Sequence, residues 1–320
     1  MQIKEPLNRD EFFQRSESVL GVMASKDWLN VYGQALKLKG IYTEDNKLLG
    51  GYFYMLSSKF GLKHIKCPPY TPHCGFFFEP ASSNPASRHN ALKEAMHLMA
   101  LQLKAEKAKL ITLAFPPGTQ DLQNFIWDKY KVIPNYTYQI SLQNRSQEIA
   151  QDFDSKTRNS ITRAGKDNTD IRFNTEKAET CFRFFNTHLH ETGASVYPQY
   201  LQAILTRFAT TGNSFHFSAY SGQDLVALVF CVFDQNTCYY MLGASDKSKR
   251  PAGLNALLIS KCIEQAQRAG CAIFDFEGSM LKGVEKFFRG FGGELLPYFT
   301  VNKATLPLEL LLKFFDRERF

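Results

Sequence analysis

Apolar and polar positions in the last third of the chain fall into a clear succession of periods. Thr237 to Ala244 is an apolar and aromatic run of strand length. A polar loop carrying Lys247, Lys249 and Arg250 follows. From Gly253 to Ala269 the residues Leu254, Leu257, Leu258, Ile263 and Ala266 recur at helical spacing, and Gly270 marks the stop. The period then drops to two. Cys271 to Glu277 reads as a strand with Asp275 and Glu277 on one face and Phe274 and Phe276 on the other. A short helix and a further strand reach Asn302.

Earlier in the chain the same signals predict a helix from Arg9 to Ser18 capped by Asn8, and a second from Lys26 to Leu36. Strands follow at Gly40–Thr43, Leu48–Ser57 and Leu62–Cys67, then proline-rich loops at 68–75 and 80–86. A helix from Arg88 to Lys107 carries a Met96 and Met99 stripe that reads as core, before a strand at Leu110–Phe115 and a helix at Asp121–Tyr130. Pro134 precedes a strand from Tyr136 to Leu142. After the polar stretch at Asn144 the order begins again: a basic helix, strand Ile171–Asn174, helices Ala178–Thr192 and Pro198–Ala209, and strands from Ser214, Leu225 and Thr237. The expectation is two α/β units with diverged sequences, residues 1–144 and 145–320.

A chain of 320 residues accommodates two such cores, and 44% apolar with 14% aromatic content excludes disorder. The formal charge of +7 favours an anionic ligand such as a nucleotide, CoA, RNA or an acidic cell-wall precursor. No apolar run approaches the roughly 20 residues of a membrane span, and the first residues lack a signal-peptide core. A cytoplasmic location is expected. Seven cysteines without framework spacing suit a reducing compartment. His64, Cys67, His73 and Cys74 have zinc-ligand chemistry, but adjacent His73 and Cys74 and the prolines between favour packing roles, and no metal is expected. His188, His190 and Glu191 point to different helix faces and read as surface residues.

Three patterns carry candidate chemistry. Arg250-Pro251-Ala252-Gly253-Leu254-Asn255 is an R-x-x-G-x-small loop opening a helix, where a glycine admits close backbone approach and free N–H groups face an anion. The competing reading is a solvated basic loop. Lys156, Asn159, Arg163 and Lys166 share a helix face, with Arg158 beside them; this stripe either binds phosphate or is a solvated face. Glu277 either serves as a general base or caps the next helix with Ser279, and Asp275 reads as structural.

The order strand, R-x-x-G loop, helix, strand resembles the donor half of the GNAT acyltransferases. FDFEGSMLKGVEKFFRGFGGELLPYF (274–299) resembles more narrowly the FemABX peptidyltransferases and the related BioF2-like acetyltransferases. KTRNSITRAGK (156–166) matches the K-x-R-x-x-I-x-x-A segment that opens the second domain of that group, and CPPYTPHCGFFF (67–78) the proline-rich segment of the first. The resemblance implies mixed α/β (α+β) sheets in two tandem GNAT-like domains packed side by side. It also implies transfer of an acyl or aminoacyl group to an amine on a small molecule or a peptide or cell-wall precursor. Under it, Glu277 and Ser279 are the catalytic candidates, and Lys249, Arg250, Gly253, Asn255 and Arg289 the donor-binding ones. Lys156, Arg158, Arg163 and Tyr70 are the acceptor or phosphate candidates. Members that use aminoacyl-tRNA carry F-K where this chain has Phe287 and Phe288, with the cation one place later at Arg289. Acyl-CoA is therefore the favoured donor and charged tRNA the alternative. A non-catalytic module for RNA or another anion, using the basic stripe with Tyr70, Phe287 and Phe288, is the reading from a different functional class.

Overall fold

A computed structural model describes residues 1–59, 61–143, 149–167, 169–192, 195–209, 212–278 and 280–315. Its first elements are β1 (Gln2–Lys4), α1 (Arg9–Leu20), α2 (Lys26–Leu29), β2 (Leu36–Tyr42), β3 (Leu48–Lys59) and β4 (Leu62–Lys66). Next come β5 (Phe77–Phe78), α3 (Pro85–Ala105), β6 (Leu110–Ala114), α4 (Gln123–Trp127) and β7 (Lys131–Ser141). The second half supplies α5 (Ser155–Ala164), β8 (Asp170–Phe173), α6 (Ala178–His188), α7 (Pro198–Phe208), β9 (Ser214–Ser221), β10 (Asp224–Phe233) and β11 (Thr237–Ser245). It ends with α8 (Leu254–Arg268), β12 (Ile273–Asp275), α9 (Lys282–Arg289), β13 (Glu294–Ala304) and α10 (Leu306–Phe315).

Local chemistry explains the boundaries. The Asn8 side chain accepts from the N–H groups of Asp10 (3.0 Å) and Glu11 (3.1 Å) and so starts α1. Helix α3 begins at Pro85, earlier than the expected Arg88, because proline is tolerated in the first turn and Asn84 caps it through Ser87 N–H (3.1 Å). Past Leu29 the chain tightens into a 3₁₀ turn, Asn30–Ala35, where the sequence predicts continuous helix; Gly33 inside it is non-helical.

The chain forms two compact units, Met1–Asn135 with Pro297–Phe320, and Tyr136–Leu296. These differ from the division at 144/145, which itself lies outside the described residues. Strand pairing gives the reason. In the first unit β1, β2, β3 and β4 run antiparallel, β6 joins β4 in parallel through α3, and β13 closes on β6 with Thr300 opposite Ala114. In the second, β8, β9, β10 and β11 run antiparallel, β12 joins β11 in parallel through α8, and β7 closes on β12 with Gln139 opposite Asp275. The two orders match. Each closing strand comes from the other half of the sequence.

Each unit has its own core. In the first, Met96, Met99 and Leu103 of α3 are buried with Tyr52, Tyr54, Ile111 and Phe115. In the second, Leu254, Leu258 and Ile263 of α8 are buried with Val229, Phe274, Phe276 and Phe291. The α10 helix, which the sequence pattern did not indicate, follows β13.

Three histidines are held neutral inside these cores. Burial depresses His73 to about 4, and its Nδ1 accepts the N–H of Gly75 at 3.1 Å. Burial, helped by the positive Lys66, depresses His64 to about 4. Burial lowers His216, whose Nε2 accepts the N–H of Glu176 at 2.9 Å. The unfolded chain binds protons at these rings near pH 6.5 while the fold does not. Stability should therefore be full above that pH and fall progressively toward about pH 4, by roughly 3 kcal/mol for the buried His73 and by less for His64, which is half-buried and screened by solvent. Urea unfolding at neutral and at acid pH measures this. His73→Asn, which keeps an acceptor for Gly75, should lose part of the slope; an unchanged slope would reject the assignment.

Candidate active site

The site is built at one end of β11 in the second unit. Opposite β10 the register moves from Phe230↔Leu242 to Cys231↔Tyr240, so Met241 is an extra residue and bulges the strand. At Gly243 the Tyr240 hydroxyl occupies the place of a Cβ, 1.8 Å away, so no larger residue fits without moving that ring. On its other side β11 is matched by β12 only over Thr237–Tyr239. From Tyr240 to Ser245 that backbone edge has no strand partner among the described residues.

The early end of β12 has a local cause. Asp275 Oδ1 accepts the Thr137 hydroxyl (2.6 Å) and the Glu277 N–H (2.8 Å), and its Oδ2 accepts the Gln139 amide (2.7 Å). The turn this makes puts Glu277 at φ 63°, a left-handed conformation, and the strand ends at Asp275, two residues short of the expected Glu277. The Glu277 carboxyl is half-buried, and among the described residues it has no hydrogen-bond partner. Burial, and secondarily the Asp275 charge, pushes it well above the usual carboxylate range. It does not cap α9, whose N-cap is Leu281 with no side-chain bond. Ser279 lies outside the described residues.

At the other end of the open edge, Gly253 starts α8 with φ 88°, and an added Cβ would sit 2.3 Å from the Ser160 carbonyl oxygen. The glycine is thus fixed by close packing against α5 as well as by its conformation. The N–H groups of Asn255 and Ala256, in the first turn, have no acceptor among the described residues. Arg250 Nε is buried without a partner. Asn255 turns its amide onto Ser245 Oγ (3.3 Å), clear of the helix axis end. Lys156 and Arg163 lie one turn either side of Ser160 on α5 and are exposed, flanking the contact with Gly253. Asp275 pairs with Tyr239, so Glu277 follows just past the point where the open edge begins; Ser245 lies six residues beyond Tyr239, about 20 Å along the strand.

Other sequence candidates are placed differently. Lys249 forms an exposed ion pair with Asp224 (2.7 Å). Arg158 is pinned on the carbonyls of Gln151 (3.3 Å) and Phe153, so it braces the turn before α5 instead of presenting a free cation. Arg289 pairs with Glu285 (3.5 Å), whose carboxylate also accepts the Tyr138 hydroxyl (2.8 Å). Tyr70 belongs to the first unit, at φ 62° in the proline-rich loop. Phe288 is buried against Phe276 (4.6 Å between ring centres), and Phe287 packs on the same core. Sequence reasoning missed Thr137 and Gln139; alternate polar residues on one face of a predicted strand were the available signal.

Residues 155–289 match the family model described as acetyltransferase (GNAT) domain. This stretch is similar to a GNAT acetyltransferase domain. It holds α5, the open edge of β11, the start of α8 and Glu277. No curated protein matches the chain by sequence. Among solved structures the whole chain is similar to FemX, with 14% identity, a TM-score of 0.66, and coverage of 98% of this chain and 100% of that one. It is similar to a tandem GNAT protein from the clavulanic acid biosynthesis pathway (10% identity, TM-score 0.57, 95% and 98% covered). L-PGS from Bacillus licheniformis is a third (11% identity, TM-score 0.56, 98% and 98% covered). At these identities the likeness establishes a FemABX-like GNAT fold.

Gly253 gives this arrangement a direct test. Gly253→Ala places a Cβ against backbone in a left-handed conformation and should cost at least about 2 kcal/mol. Gly222→Ala, also left-handed at φ 61° but open within 4 Å, should cost only about 1 kcal/mol. Denaturant midpoints compare them, and equal losses would mean that α5 does not press on the loop.

Proposed function

We propose that the chain is an N-acyltransferase that moves an acyl group from acyl-CoA to an amine on a small molecule or peptide, with Glu277 as general base. The observation that carries this reading is the unpaired edge of β11, bounded at one end by the start of α8 and at the other by Glu277. The free N–H groups of Asn255 and Ala256, with the buried Arg250 Nε, offer donors to a diphosphate. Lys156 and Arg163 add positive charge beside them. The open backbone edge can pair with the amides of the donor's arm as an added strand does. The acyl carbon then lies toward Glu277. The amine nitrogen forms the new bond to the acyl carbon, the carbon–sulfur bond breaks, the thiolate leaves, and Glu277 takes the amine proton that the thiolate finally receives. Burial raises the Glu277 carboxyl, which makes its ionised form a stronger base for this proton. Holding donor and amine together supplies much of the rate.

Charged tRNA is the less favoured donor, because the position of the tRNA-using relatives' lysine is Phe288, buried among aromatic rings. The RNA-binding reading also weakens, since Arg158 is engaged by carbonyls and Phe288 is core. A cytoplasmic site fits the acyl-CoA donor and the seven free thiols.

Arg250→Ala should weaken acetyl-CoA binding by roughly one to two orders of magnitude in a calorimetric titration. Unchanged affinity would remove the loop from the site. Glu277→Gln should lower kcat with a probe amine by about a hundredfold or more at unchanged donor affinity. The wild-type rate should fall with decreasing pH through the raised Glu277 ionisation, a limb the variant lacks. An acid whose pKa is raised by folding costs stability when ionised, so Glu277→Gln should also raise Tm at pH 7 and not at low pH. Turnover with aminoacyl-tRNA and none with acetyl-CoA would overturn the donor assignment.

A further inference from the structure

Helix α10 exposes an apolar surface that the fold does not use. Leu306 (71% exposed), Leu310, Leu311, Phe314 (86%) and Phe315 (78%) fall within half a turn of arc, while Leu308 and Leu312 are half-buried on the opposite side. Scattered exposed apolar residues are ordinary; five large ones on one ten-residue helix form a patch that needs a partner.

The surroundings of that helix indicate which partner. The N–H of Thr305 donates to the Lys109 carbonyl (3.0 Å), and the N–H of Lys109 to the Lys63 carbonyl (2.8 Å), so α10 leaves the sheet at the end where Lys63 and Lys109 start their strands. Lys104 and Lys107 close the preceding helix at the same end. All four lysines are exposed. Of the nearby acids, Glu106 is taken up by the Tyr54 hydroxyl (2.8 Å), with Lys63 at 4.0 Å, and Glu309 of α10 pairs with Lys313 (2.9 Å), while among the described residues Lys104, Lys107 and Lys109 have no ion-pair partner. An apolar helix face beside a lysine cluster, on a chain of net charge +7, is complementary to an apolar layer with an anionic surface. A second copy bound through the same face would bring like-charged lysine clusters together. Ten residues are too few to cross a bilayer, and no described helix is long and apolar enough to do so, so α10 can lie only in the interface.

We propose that α10 and the lysine-rich end of its sheet dock the protein on an anionic lipid bilayer, with the apolar face in the acyl boundary and the lysines at the headgroups. The inference is independent of the acyl-transfer reading. The full chain should co-sediment with vesicles containing about 30% phosphatidylglycerol at least tenfold more tightly than with pure phosphatidylcholine, and raising salt to about 0.5 M should weaken it. Leu310→Ser with Phe314→Ser should reduce binding at least about tenfold. Lys107→Glu with Lys109→Glu, on an exposed surface that folding does not need, should reduce it severalfold and provides the same test if the helix variant is poorly folded. Equal binding to neutral and anionic vesicles, no binding, or insensitivity to both double variants would overturn the proposal. So would a lipid-free dimer abolished by Leu310→Ser with Phe314→Ser, which would assign the face to a second copy.

Discussion

The buried Asp275 carboxylate is the point on which the second unit's site depends. It lies between β7 and β12 and meets three donors: a hydroxyl, a side-chain amide and a backbone N–H. Each is a group that can only favour an ionised partner here, and together they oppose the penalty of burial, which still leaves Asp275 raised. One carboxylate thereby joins the closing strand to its neighbour, terminates β12 and fixes the conformation of Glu277. Because β12 stops there, β11 runs on alone, and its edge remains open for six residues, 240–245.

The same interaction distinguishes the two carboxyls. Asp275 and Glu277 are two carboxyls in one low-dielectric region, so they titrate as a pair. The donors are spent on Asp275, and the Glu277 carboxyl has none among the described residues. Burial raises both carboxyls, Glu277 well above the usual carboxylate range, and a raised carboxyl is the stronger base once ionised. A left-handed φ at a non-glycine residue costs about 1 kcal/mol or more. Here the hydrogen bond from Glu277 N–H to Asp275 compensates.

Much of this was legible in the residues because the signals are local. The helical spacing after Gly253, the stop at Gly270 and the alternation around Phe274 each depend on neighbours a few positions apart, and each appears in the structure. The pairing of Thr137 with Asp275 joins residues 138 apart, and nothing within either segment specifies it. The exchange of closing strands was hidden for the same reason: nothing within β7 or β13 names its neighbour, and only their register with β12 and β6 assigns them. Lys249 and Arg158 show the limit of reading charge as availability, since an acidic side chain in one case and two carbonyls in the other already engage them.

The matching topologies of the two units make their difference informative. In both, a parallel crossover leads from a meander strand through a connection into a helix, the place where α/β sheets leave a ligand crevice. In the first unit the early part of that connection, 67–75, packs on its own chain: Thr71 accepts the Trp28 indole N–H (2.9 Å), Cys74 N–H donates to Ala114 (2.7 Å), and a Cβ on Gly75 would fall 1.8 Å from the Phe53 ring, while Phe78, Pro80, Ser83, Pro85, Arg88 and His89 line a cavity of about 470 Å³ at the start of α3. In the second it is the eight-residue loop 246–253, which ends on unclaimed N–H groups and the unpartnered Arg250 Nε. A buried donor without an acceptor is costly to keep in a finished fold. The unclaimed N–H groups of Asn255 and Ala256 and the Arg250 Nε are the donors that the phosphate oxygens of the proposed acyl-CoA would satisfy.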